Sequence, residues 1–159
     1  MLDRISHLLN IFVKHLAGLL TAAMTVVVFL QVLFRYVFNA PLDWSEEMAT
    51  FAFTWMALLG ASVGLKGEEH PALDIFFMRL SGKIQIFVKT IINLSIIFML
   101  VILFIYGIKL TLAMRSQSTA ALGYSVSFVY VVLPISALIM LLHIIVQALD
   151  LFRKKEKED

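Results

Sequence analysis

The chain has 159 residues, of which 61% are hydrophobic and 15% charged, with a net charge of +2 and a mean hydropathy of +0.94. Soluble domains carry roughly a quarter charged residues, so this composition cannot furnish a water-facing surface. With no cysteine, disulfides, thiolate metal sites and thiol redox chemistry are excluded. The basic residues cluster between apolar runs rather than along a stripe with exposed aromatics, which argues against nucleic acid and for a lipid bilayer as partner.

A hydrocarbon core of about 30 Å needs about 20 helical residues to cross it, and a lone strand cannot satisfy its backbone there. Four segments meet that length: Leu16 to about Phe38, about Trp44 to Leu65, Ile84 to Met114, and Ser125 to Phe152. The first is too long for a signal-peptide core, and Arg35-Tyr36-Val37-Phe38 follows it instead of a small-residue cleavage site. It reads as a retained helix. The third exceeds a perpendicular crossing and should tilt or project. Pro134 should kink the fourth. Two shorter stretches have interfacial patterning: residues 2–15, with Leu2, Ile5, Leu9 and Phe12 at helical spacing, and residues 71–82, with Leu73, Phe76, Phe77 and Leu80 after Pro71. Extension of a neighbouring helix, or a loop, is the alternative for both.

Ten of the thirteen Lys and Arg residues fall in the N-terminal tail, the middle loop and the C-terminal tail, while Arg35, Lys109 and Arg115 lie at the other end. The positive-inside rule then places both termini in the cytoplasm. The expected fold is an all-α integral membrane protein, a single domain over residues 1–159 with four transmembrane helices.

Ion-coupled transport and proton relay need ionisable groups inside the bilayer. Residues 16–34, 48–65, 90–108 and 116–142 contain no Asp, Glu, Lys, Arg or His. No pair of broken helices marks a substrate site. The histidines are His7, His15, His70 and His143, and only His143 falls within a span, so a haem pair is not supported. No nucleophile–base pair, phosphate loop or metal cluster appears. Neither an enzyme nor a bound cofactor is expected.

Three groups of residues are candidates for specific contacts. Arg35, Asp43, Trp44, Glu46 and Glu47 surround the first hairpin. Asp43 and Glu46 have capping-box spacing, Trp44 suits the headgroup level, and Arg35 should reach Glu46 or Glu47 in an ion pair. Structural pairing and partner contact are both compatible with these types. Gly60-Ala61-Ser62-Val63-Gly64, with Ala57 beside Ala61, has the small-xxx-small spacing that admits a close helix, either within the bundle or from a partner. His70 and Asp74 in the middle loop, and His143, Gln147 and Asp150 along one face of helix four, read as structural polar contacts.

The run from Arg35 to Asp74 carries a resemblance. FRYVFNAPLDWSEE, followed by FTWMALLGASVGLKGEEHPALD, resembles the small membrane subunit of tripartite ATP-independent periplasmic (TRAP) transporters, the DctQ-like family. The pattern comprises Arg35-Tyr36, Asn39, Pro41, Trp44 to Glu47, Trp55, Gly60-Ala61, His70 and Asp74. Ala121-Leu122-Gly123, Tyr130 and Pro134 are similar but less specific, and helix three matches by position alone. The resemblance implies a bacterial or archaeal inner-membrane complex for sodium-coupled organic-acid uptake. Its partners would be a large membrane subunit (M, DctM-like) that moves the solute and a periplasmic binding protein (P) that delivers it. This chain would then be a non-catalytic scaffold. The competing readings are a self-sufficient oligomeric four-helix transporter and a membrane redox module.

Overall fold

The computed structural model of the protein describes residues 2–66 and 82–158. Helix α1 (Leu2–Tyr36) and helix α2 (Asp43–Lys66) form the first hairpin. Helix α3 (Gly82–Ala113) runs into a 3-10 turn (Met114–Ser116), and a short connection leads to α4 (Ser127–Tyr130) and α5 (Val132–Glu158). Four stretches are long and apolar enough to cross a membrane: Arg4–Tyr36, Asp43–Lys66, Phe87–Ser116 and Ser127–Ala148.

Helix α1 is one rod. At 1.5 Å per residue its 35 residues span about 52 Å, well beyond a bilayer core of about 30 Å. Residues 2–15 are therefore its first turns and not a separate surface helix, and they bury Ser6 and Val13 against the bundle. The second candidate interfacial stretch, after Pro71, lies outside the described residues.

The fourth span breaks at Val131, between α4 and α5. Pro134 causes this. It has no N–H for the Tyr130 carbonyl, and its ring crowds the preceding turn. Downstream, Ile135 N–H reaches the Val131 carbonyl at only 3.4 Å. The expected kink is thus an interruption placed one turn before the proline.

Helix α1 packs along α2, and α5 contacts α2, α3 and α1. The spans do not share burial equally. In the fourth, 44% of the apolar window is buried, against 6%, 11% and 11% in the others. Helix α5 is the pivot. One core cluster joins Val13, Leu59, Val132 and Ile139, with Trp55 packed on it; a second joins Leu100, Met140 and Ile144.

Lipid tails are as apolar as leucine, so close packing rather than hydrophobic burial holds such helices together. Small residues lie at the tight contacts. Ser45, Ser62 and Ser136 are fully buried, and each hydroxyl donates to a carbonyl of its own helix or its N-terminal turn, those of Leu42, Leu59 and Leu133. Gly107 of α3 lies closest to a neighbour: a Cβ there would meet Leu133 Cβ and Pro134 Cδ at 3.0 Å and Pro134 N at 3.1 Å.

Candidate functional site

The two ends of the bundle differ chemically. One, the hairpin end, gathers the end of α1, the start of α2 and the connection after α3. Helix α1 stops where Asn39 adopts a left-handed backbone (φ 50°), and the Ala40 N–H returns to the Phe34 carbonyl at 3.0 Å. Asparagine tolerates that conformation better than other side-chain-bearing residues do. Helix α2 begins at Asp43, so Asp43 and Glu46 both lie in its first turn, beside the positive end of the helix dipole. Asp43 is therefore part of the helix and not the cap ahead of it.

Glu47 has a specific task. Its Oε1 accepts the Ala121 N–H at 2.8 Å and its Oε2 accepts the Leu122 N–H at 2.9 Å. These amides belong to a tight turn closed by Thr119 N–H to Tyr124 O at 2.8 Å and Gly123 N–H to Thr119 O at 3.2 Å. Gly123 has φ 69°, which glycine alone adopts without strain. One carboxylate thus satisfies two backbone donors and fastens the distant connection onto α2.

Trp55, one helical face further along, does the same with its indole. Its Nε1–H donates to the Phe128 carbonyl at 3.0 Å, whose own helical partner would be Val132, across the break. Arg35 and Glu46 are exposed, and Trp44 is 39% exposed. No ion pair within 4.0 Å joins Arg35 to Glu46 or Glu47 among the described residues. They instead line a common cleft of about 640 Å³ with Gln31, Asp43, Thr50 and Phe51.

At the other, terminal end, a polar clasp joins three helices. Lys66 Nζ donates to Ser6 Oγ at 2.9 Å, and Ser6 Oγ lies 2.8 Å from His143 Nδ1. The Ser6 oxygen accepts from Lys66 and bridges to the ring, donating to or accepting from Nδ1 according to the tautomer, while Nε2 is buried without a partner among the described residues. Gln147 Nε2 donates to the Leu65 carbonyl at 3.0 Å, one of the last carbonyls of α2 and without a partner in its own helix. His143 and Gln147 are therefore structural contacts at this end. His70 and Asp74 lie outside the described residues, as does the Asp150 side chain.

Sequence reasoning missed Ser6 and Lys66. Ser6 is the single serine of α1 and Lys66 reads as an ordinary flanking charge, so neither stood out by spacing. It also left open the orientation of the small-xxx-small run. Ala57, Ala61 and Gly64 are exposed, and a Cβ at Gly60 or Gly64 would meet nothing within 4 Å. That run is not a contact within the bundle; Ser62, on the opposite side of the same turn, is. Among the described residues no His, Cys, Asp and Glu cluster could hold a metal.

Comparisons with known proteins agree on one family. Residues 24–154 match "Tripartite ATP-independent periplasmic transporters, DctQ component". The chain is 32% identical over 138 residues to the sialic acid TRAP transporter permease protein SiaT of Haemophilus influenzae, covering 86% of this chain and 22% of that protein. It is 34% identical over 73 residues to the C4-dicarboxylate TRAP transporter small permease protein DctQ of Vibrio cholerae, 46% of this chain and 32% of that one. To the sialic acid TRAP transporter small permease protein SiaQ of Vibrio cholerae it is 25% identical over 121 residues, covering 76% and 70%. The chain thus spans under a third of the length of the first two.

Proposed function

Because this chain belongs to the DctQ component family of tripartite ATP-independent periplasmic transporters, we propose that it is the small, non-catalytic membrane subunit of such a transporter. In this reading it lies in the bacterial inner membrane with the hairpin end facing the periplasm and both termini in the cytoplasm. It scaffolds a large membrane subunit that carries the solute, and its outer end helps to seat a periplasmic binding protein during sodium-coupled uptake of an organic acid. Substrate choice is then a property of its companions.

One observation supports this above the others: the spans contain no Asp, Glu, Lys, Arg or His at positions 16–34, 48–65, 90–108 and 116–142. A carrier needs polar groups at mid-depth to replace the hydration of an anion and its coupling ion. This chain's charged side chains lie only towards its ends, and the mid-span hydroxyls of Thr21, Thr25, Thr54, Ser62, Ser95 and Ser136 donate to carbonyls of their own helices. The self-sufficient transporter is therefore not favoured, and family membership speaks for a transport component rather than an enzyme or redox module.

The outward small residues of α2 give the reading a test. Ala61 and Gly64 are exposed and a side chain at Gly64 has open space, so Ala61→Leu with Gly64→Leu should leave the isolated fold intact. In a helix–helix contact the same change would hold two backbones apart. Affinity purification from native membranes should recover a large membrane protein with the wild-type chain, and at least about tenfold less with the double variant, a loss of about 1.4 kcal/mol in association. Recovery of the wild-type chain alone, or only with copies of itself, would contradict the proposal.

A further inference from the structure

We propose that the cleft at the hairpin end seats the headgroup of an aminophospholipid, phosphatidylethanolamine. Three observations converge on it. The first is depth. Arg35 lies in the last turn of α1 and Asp43 and Glu46 in the first turn of α2, so the cleft lies where two membrane-crossing helices emerge from the hydrocarbon. The exposed Trp44 indole marks the same level. The second is size: about 640 Å³ falls within the range of sites that hold small molecules.

The third is charge. The side chains of Arg35 on one wall and of Asp43 and Glu46 on the other make no ion pair within 4.0 Å and no hydrogen bond among the described residues, although they share one cleft. Glu47, the remaining carboxylate, is already committed to the Ala121 and Leu122 amides. Separated charges of both signs complement a ligand that itself carries both. The phosphate takes the planar guanidinium fork of Arg35. The primary ammonium offers three N–H donors, which suit the Asp43 and Glu46 carboxylates. Phosphatidylcholine has no N–H to offer, and phosphatidylglycerol carries the same single phosphate charge but a neutral diol in place of the ammonium, so it brings no cation to the carboxylates. Phe51, half-buried on the same wall, gives the glycerol an apolar contact.

The test uses the purified, delipidated full chain in detergent, titrated with short-chain phosphatidylethanolamine, phosphatidylcholine, phosphatidylglycerol and soluble glycerophosphoethanolamine. Bound lipid is read by native mass spectrometry. Phosphatidylethanolamine should bind at least about tenfold more tightly than the other two lipids and than the soluble headgroup. Arg35→Gln and Glu46→Gln should each abolish that preference, while Lys109→Gln, a charge change at the same end outside the cleft, should not. Equal binding of the three lipids, an unchanged preference in both cleft variants, or soluble headgroup bound as well as lipid would each overturn the proposal. The measurement needs no partner subunit, so its failure leaves the subunit reading intact, and failure of that reading leaves the lipid site intact.

Discussion

Gly107→Leu will pull α3 away from α5 and lower the stability of the bundle by more than about 3 kcal/mol, the largest effect expected of a single substitution in the membrane interior. The reason is local. An added Cβ already lies 3.0 Å from Leu133 Cβ and Pro134 Cδ and 3.1 Å from Pro134 N. These atoms belong to backbone, ring and a β-carbon, so no rotamer change moves them aside. Alanine separates two opposing terms. It gains about 0.5–1 kcal/mol of helix propensity over glycine, but the overpacking costs about 1–3 kcal/mol, so Gly107→Ala should be mildly destabilising. Denaturant or thermal unfolding in detergent, followed by circular dichroism, ranks the three proteins. A leucine variant as stable as wild type would show that α3 does not touch the proline turn.

Glu47→Ala will free the turn at 119–124 from α2. Hydrogen exchange at the Ala121 and Leu122 amides should accelerate on the order of tenfold, with amides deep in α5 unchanged. Glu47→Gln separates the two bonds. Its carboxamide oxygen can accept one of the two N–H groups, but its NH₂ presents a donor to the other, so only one amide should keep its protection. If the chain is the small subunit proposed above, uptake by the assembled transporter should fall for both variants, because the turn at the hairpin end is no longer held to α2. Unchanged exchange at both amides in Glu47→Ala would show that the turn holds itself closed without the carboxylate.

Much of this architecture was legible from the chain alone, since a bilayer demands long, uncharged helical runs and four are present. The Pro134 break was readable for a similar reason, because a missing N–H acts wherever the helix lies. What lay beyond the sequence was the direction each face turns. In water an apolar stripe marks the buried side; in lipid it does not. Of the apolar stripe of residues 2–15, Leu9 packs on the core but Ile5 and Phe12 are 46% and 65% exposed, while Ser6 is buried. The same inversion hides the small-xxx-small run, which faces outward while Ser62 packs within. Glu47 was picked out as a residue of interest, but the expected partner was the nearby Arg35. Its observed partner lies 74 residues away, in a turn with no charge to announce it. Local spacing can nominate a carboxylate without revealing which backbone donors need it.

The claim on which the account rests is that this bundle moves nothing by itself. Liposomes with a sodium gradient, reconstituted with this chain alone, with its large membrane companion alone, or with both, test it directly once the cognate binding protein and its organic acid are supplied. Background uptake is expected for this chain alone, and robust uptake only when both membrane subunits are present. Sodium-driven accumulation by this chain alone, or full uptake by the companion without it, would contradict it.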